Sequence, residues 1–353
     1  MNKQIQLLDC TLRDGGLGLE DAWKNQISTA KFDAEILDNI IGELSKSNID
    51  IVELGSVEIT ADDRRGFAIY QDIESISRKI PVNKAANQMY AALYRGPDTP
   101  LAEIPDWTPD LCEAVRVIIR YSELQKSLDF CAGLASKGYK VFVQPMLTMR
   151  YTEAEIDLLI DAADAMNAYA LYFVDSYGYM QAQNIVDFFK RYDAGLKAQI
   201  RIGFHAHNNM NLAFANVIAL LQQQTERNII VDSCCLGMGQ GAGNLQTEII
   251  ADYLNSEYGK NYSYPAILQV CSMLESLYAQ NLWGYSVTTL LPALRKSAYK
   301  YSIVLHNKYG LAYSDINRIL ANIPEELRHR YTPENTEKLL QQFGYGDLLK
   351  TEA

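Results

Sequence analysis

Short apolar runs alternate along most of the chain with longer stretches in which apolar positions recur every three or four residues. The runs predict buried strands and the stretches predict amphipathic helices. Strands are expected at "IQLLDCTLR" (5–13), "IDIVELGS" (49–56), "PVNKAANQM" (81–89), "AVRVIIRY" (114–121), "YKVFVQPMLT" (139–148), "AYALYFVDSYG" (168–178), "AQIRIGFHAHN" (198–208) and "NIIVDSCCLGMG" (228–239). Helical material is expected after each. Between 32 and 48, Ile36, Ile40, Ile41 and Leu44 make one stripe behind the capping residue Asp33. A helical region covers roughly 62–78. Gly138 stops the helix that precedes 139–148. Thr152 and Glu155 form a capping-box pair ahead of the helix that runs to 167.

Eight strand–helix units over about 260 residues have the count and size of a (β/α)8 TIM barrel. An open doubly wound sheet is the competitor. The near-equal units, and the lack of G-x-G-x-x-G after an early strand, count against it. From 263 onward the period is helical throughout. The expected division is therefore a barrel over residues 1–262 and a helical C-terminal extension over 263–353. The extension is expected to pack on the barrel or on a partner subunit.

Composition narrows the class. The chain has 353 residues, 48% hydrophobic and 21% charged, as in a globular protein with a sizeable core. A formal net charge of -11 disfavours nucleic acid as the main partner. No apolar run reaches the roughly 18 residues of a membrane span, and "MNKQIQLLDC" lacks the apolar core of a leader peptide. Six cysteines without CxxC spacing read as reduced, mostly buried thiols, so a cytoplasmic location is expected.

The ends of the expected strands carry the candidate chemistry, because barrel active sites form at the C-terminal ends of strands. These ends hold Arg13-Asp14, Glu53, Asp175-Ser176, "HAHNN" and "GMGQGAGN". His205 and His207 are two apart on a strand and so share a face. Two imidazoles with the Asp14 carboxylate suit Mn²⁺, Mg²⁺ or Co²⁺ better than structural zinc. A hydrogen-bonded pair of core histidines is the plainer reading of H-x-H alone. Arg13 beside such a metal suits stabilisation of an oxyanion or enolate; an ordinary ion pair with Asp14 is the alternative. Gly15 and Gly16 are expected to turn the backbone sharply after the strand and to leave room for a ligand. "GMGQGAGN" (237–244) lacks the Lys-Ser/Thr pair of a P-loop. It reads either as a tight turn or as a flap or anion cradle over the metal.

Taken together, "DCTLRDGG", "IVELGS", "VDSYG", "HAHNN" and "GMGQGAGN" resemble, over residues 5–260, the metal-dependent lyase and aldolase superfamily. That superfamily includes 3-hydroxy-3-methylglutaryl-CoA lyase, isopropylmalate synthase and 4-hydroxy-2-oxovalerate aldolase. The likeness is strongest to the hydroxy-oxovalerate aldolases. It implies a TIM barrel and reversible C–C cleavage through a pyruvate-like enolate. By motif, Arg13 corresponds to the enolate-stabilising arginine, and Asp14, His205 and His207 to metal ligands. Ser176 and His205 correspond to substrate contacts. Asn244 matches a metal-ligating asparagine of the acyl-CoA lyases, and Glu53 a glutamate on their second strand.

The departures concern proton transfer. The aldolases carry a basic histidine three residues after the metal aspartate, where this chain has Leu17. Their C-terminal tyrosine falls on Thr289, with Tyr285 nearby. The condensing synthases have a glutamate where this chain has Gly16. Glu20, Glu53 and Tyr285 are the candidate replacement bases. General-base catalysis is worth about 10²–10⁴-fold, so its loss should change the substrate rather than abolish activity.

The resulting expectation is a divalent-metal-dependent aldolase, using Mn²⁺ or Mg²⁺, on a 2-oxo or 4-hydroxy-2-oxo acid. A Claisen-type condensing acyltransferase and a non-catalytic binding barrel are the rivals. No nucleic acid or membrane is expected as partner. A homo-oligomer is expected from the Leu-, Tyr- and Ile-rich extension. An acylating aldehyde dehydrogenase partners the hydroxy-oxovalerate aldolases, but no residue here supports one.

Overall fold

The computed structural model describes residues 4–59 and 64–352. Eight parallel strands close into a barrel: β1 (Ile5–Asp9), β2 (Ile51–Val57), β3 (Met89–Tyr94), β4 (Ala114–Ile119), β5 (Lys140–Pro145), β6 (Ala170–Asp175), β7 (Arg201–Ala206) and β8 (Ile229–Ser233). Each pairs with its neighbour in sequence. The ring closes where β1 sets Leu8 opposite Ile51 of β2 and Leu7 opposite Val231 of β8. The expected (β/α)8 TIM barrel with a helical C-terminal region is what the chain forms.

Helices follow the strands: α1 (Thr11–Lys24), α2 (Ala34–Leu44), α3 (Ile73–Ser77), α4 (Leu124–Ser136), α5 (Glu153–Ala165), α6 (Ala182–Gly195), α7 (Ala213–Leu221) and α8 (Thr247–Tyr258). Local signals explain their limits. Asp33 caps α2 by accepting the Ile36 N–H at 2.7 Å, and Leu37, Ile40, Ile41 and Leu44 are buried beneath it. Thr152 and Glu155 make the capping box of α5, and Gly138 follows α4 with φ of +92°.

Three local expectations are corrected. The third barrel strand is not 81–89 but Met89–Tyr94, six buried residues. "MYAALY" is an apolar run of the same kind as the other strands, and the expected strand ended on its first residue. The region 62–78 is only partly helical. Residues 62–63 lie outside the described residues, Ile69–Tyr70 adds a two-residue strand to the edge of β2, and α3 occupies the end. β1 stops at Asp9, and Arg13-Asp14 lie in the first turn of α1 rather than at a strand tip.

That last difference changes the role of the glycines. Gly15 and Gly16 are helical and make no turn. A Cβ on Gly16 would stand 2.0 Å from the Phe67 carbonyl oxygen, and one on Gly15 2.6 Å from Met238 Sδ. They let α1 press against the loops after β2 and β8, which brings Asp14 up to the last of these.

The extension comprises α9 (Tyr264–Gln280), α10 (Val287–Leu294), α11 (Lys300–Asn307), α12 (Tyr313–Ala321), α13 (Glu325–Arg328) and α14 (Pro333–Gln342). The apolar face of α9 joins the barrel's main core. The later helices build a second core around Tyr301, Leu305, Ile316, Leu320 and Leu340. Leu147 and Tyr177, from the loops after β5 and β6, belong to that second core. The extension therefore sits over the C-terminal end of its own barrel. Its apolar residues, on which the expected oligomer interface was based, are largely used in this packing.

Candidate active site

Asp14, His205 and His207 converge at the C-terminal end of the barrel. Each offers a ligand atom, all within 4.8 Å of one another. Asp14 enters from α1, where its position in the first turn favours a carboxylate. His205 lies on β7, and His207 just beyond its end. Asn244 is brought alongside by an antiparallel bridge between His207 and itself. Its Nδ2 donates to Asp14 Oδ2 at 2.5 Å and to the Met238 carbonyl at 3.0 Å.

The second ring nitrogens decide what the site can hold. His205 Nδ1 donates to Asp232 Oδ2 at 2.9 Å, and His207 Nδ1 to the Asp175 carbonyl at 3.0 Å. Whenever the rings are neutral, each Nε2 carries a lone pair that a metal can take in place of a proton. Asn244 Oδ1 is buried and has no hydrogen-bond partner among the described residues. Two imidazole nitrogens, a carboxylate and an orphaned amide oxygen form a donor set that fits a divalent cation. Burial opposes protonation of His205, but its bonds to Asp232 and Cys10 prevail and raise its pKa to about 9. Burial would likewise raise Asp14; Arg13, then His207, outweigh it and hold the carboxyl well below its usual range. Such a site takes up a cation readily, a metal in competition with a proton.

Arg13 is 4% exposed. Its Nε donates to Glu53 Oε2 at 2.7 Å, and Nη1 pairs with Asp14. Nη2 makes no hydrogen bond to the described residues, and Arg13 lines a cavity of about 330 Å³. Glu53 also accepts from Arg116 Nη1 at 2.7 Å, and Arg116 pairs through Nη2 with Asp232. Tyr172 donates to the other oxygen of Asp232 at 3.0 Å. One chain of charges thus crosses the barrel interior, Arg13–Glu53–Arg116–Asp232–His205. It fixes both Arg13 and His205, since a buried charge needs a geometrically exact partner.

Arg116 and Asp232 were not singled out from the sequence. A charged residue inside an otherwise apolar strand, as in "AVRVIIRY" and "NIIVDSCC", was the available signal. Gln144, at the end of β5, was also missed. It is 4% exposed, lines the cavity and has no partner for Nε2 among the described residues. Ser176 lines the same cavity and accepts the Leu147 N–H at 2.8 Å, leaving its own hydroxyl hydrogen to donate.

The candidate bases separate. Glu20 is taken up by Lys24, Arg64 and Arg95, outside the cavity lining. Tyr285 is 56% exposed and lines a different cleft, together with Thr289. Glu53 lies behind Arg13. Leu17 itself faces the cavity. The extension supplies Tyr299, Lys300, His329 and Arg330 to the opposite wall. Asp21 of α1 anchors that wall, accepting from Tyr299 at 2.5 Å and from Lys300 at 2.7 Å.

The 237–244 segment is a tied turn. Gly243 adopts φ of +76°, and a Cβ there would meet the Gly237 carbonyl oxygen at 1.9 Å. The Asn244 N–H donates to Gly237 O at 3.0 Å and the Asn208 N–H to Gly243 O at 2.9 Å. A Cβ on Gly239 would lie 2.6 Å from Asp14 Oδ2, so the turn rests directly on the centre.

Comparison with known proteins agrees with this architecture. The chain is 30% identical over 268 residues to a 4-hydroxy-2-oxovalerate aldolase of Shewanella pealeana, covering 71% of each. It is 29% identical over 262 residues to one of Thermomicrobium roseum, 71% of this chain and 66% of that protein, just under two thirds of the relative's length. The N-terminal domain of a candidate aldolase from Bacteroides vulgatus shares the fold, with a TM-score of 0.73 at 21% identity, over 89% of this chain and 99% of that one. Residues 4–270 match the HMGL-like family, and the chain belongs to it.

Proposed function

We propose that the protein is a divalent-metal-dependent aldolase that cleaves 4-hydroxy-2-oxo acids, with Mn²⁺ or Mg²⁺ held by Asp14, His205, His207 and Asn244. The observation that carries this reading is Arg13, which lines the cavity beside the metal-ligand cluster and whose Nη2 has no hydrogen-bond partner among the described residues. The names of the aldolase relatives supply the reaction class. When bound, the metal supplies Lewis-acid polarisation of the ketoacid.

The residues of this chain do the rest. Ser176 and Gln144 donate hydrogen bonds to the ketoacid carboxylate. Breakage of the C3–C4 bond sends its electron pair toward the C2 carbonyl oxygen, and Arg13 donates to the enolate oxygen that results. Glu53 and Arg116 are positioning residues, because they hold the guanidinium in place for that charge. The C4 hydroxyl gives its proton to solvent water as the aldehyde carbonyl forms, since residue 17 is leucine and offers no base, and the enolate carbon C3 takes a proton from water to give pyruvate.

The test is pyruvate release from 4-hydroxy-2-oxo acids that differ beyond C4. Release that requires Mn²⁺ or Mg²⁺ and stops with a chelator is the expected result. With metal bound, no pyruvate from any of them, together with free thiol from acetyl-CoA plus a ketoacid, would transfer the site to the condensing acyltransferases.

A further inference from the structure

Charge is unevenly distributed around the active cavity. On the barrel side the lining carboxylate is Asp14, already paired with Arg13. The extension side carries the cations Lys300 and Arg330, together with His329, whose pKa burial and Arg150 push down, and no carboxylate among the described lining residues. Lys300 is engaged by Asp21 at 2.7 Å. Arg330 is exposed, and its guanidinium makes no hydrogen bond or ion pair among the described residues.

The asymmetry continues past the wall. His329 also lines an adjoining groove of about 700 Å³, with Arg150, Arg295, Lys296 and Arg328. Among its described lining residues the one carboxylate is Glu325, held by Arg328 at 2.7 Å and His329 at 3.2 Å. Arg150 lies over the Tyr121 ring at 4.5 Å, and Arg295 donates to Asn317 at 2.8 Å. Neither they nor Lys296 has a carboxylate partner among the described residues. Arg295 and Arg328 stand at the C-terminal ends of α10 and α13, where a cation suits the helix dipole. Arg150 closes a single 3-10 turn, Thr148–Arg150, and Arg330 stands at no helix end. A protein of net charge -11 thus gathers unneutralised cations where the extension faces the site, and such a field concentrates anions.

We propose that the half of the substrate lying beyond the metal centre carries its own anion, a carboxylate or a phosphate, and that Arg330 binds it. This rests on the ketoacid reading above. The substrate class is then a 2-oxo acid with a distal anionic group, and the aldehyde released is itself an anion. Arg330 is a specificity residue: it distinguishes substrates and takes no part in bond breaking. The cations of the groove add to the attraction without contacting the substrate.

Calorimetry on the Mn²⁺-loaded protein tests this without turnover. 2-Oxoglutarate, 2-oxo-4-phosphonobutanoate and 2-oxopentanoate differ only at the distal end. A charge-assisted hydrogen bond should make at least one of the two dianions bind about tenfold tighter than 2-oxopentanoate. The tighter of the two identifies carboxylate or phosphate as the source. Arg330→Met should remove the preference and leave 2-oxopentanoate binding within about twofold. Equal affinity for all three, with pyruvate still exchanging its methyl protons, overturns the anion assignment alone. Selective dianion binding without that exchange keeps the assignment and overturns the enolate reading.

Discussion

Replacing Arg13 by alanine is expected to lower kcat for C–C cleavage by about 10²–10³-fold, the usual loss when one preorganised oxyanion donor is removed. The guanidinium is buried and held from two sides, so its orientation is settled before substrate arrives. Arg13 lines the cavity, and its Nη2 has no partner among the described residues. A donor of this kind interacts more strongly with the enolate than with the ketoacid, so kcat should fall more than KM rises. Structural damage is limited by what remains, since Arg116 still neutralises Glu53 and Asn244 still donates to Asp14. Arg13→Lys should recover only part of the loss, because an ammonium cannot serve Glu53, Asp14 and the substrate with one planar fork. A kcat within about threefold of the parent, under roughly 1 kcal/mol, would remove Arg13 from the chemistry.

Asp14→Asn is expected to weaken Mn²⁺ binding by more than about 10²-fold, since outer partners of metal ligands alone account for about 10–100-fold. The substitution keeps the shape but removes the one anionic donor of the cluster. It also leaves Arg13 Nη1 without its carboxylate, so thermal stability should be measured in parallel. Titration of free Mn²⁺ by its paramagnetic resonance signal reads the affinity directly. An affinity within about threefold of the parent would place the metal elsewhere.

Much of this architecture was legible in the residues. The alternation of apolar runs with three-to-four-residue periods marked seven of the eight barrel strands, and Asp33, Thr152 and Gly138 marked helix ends that the structure keeps. The ligand cluster was legible because Asp14, His205 and His207 each stand next to a strand end, and strand ends meet in a barrel. What escaped has physical causes. "MYAALY" carries the same apolar signal as the other strands, but the expected strand at 81–89 ended on its first residue. Gly15 and Gly16 belong to a helix whose closeness to Phe67 and Met238 is a tertiary fact, invisible to local propensity. Arg116 and Asp232 lie far apart in sequence and matter only because the closed barrel brings them together. The wall built by Tyr299, His329 and Arg330 depends on where the extension docks, and helical periodicity carries no information about that.

The most direct measurement is deuterium exchange into the methyl group of pyruvate in D₂O, followed by NMR with and without Mn²⁺. It needs no knowledge of the aldehyde, because it reports only whether the site can form and reprotonate the enolate. Metal-dependent exchange that Asp14→Asn abolishes is the predicted result. No exchange while the metal is demonstrably bound would contradict the account.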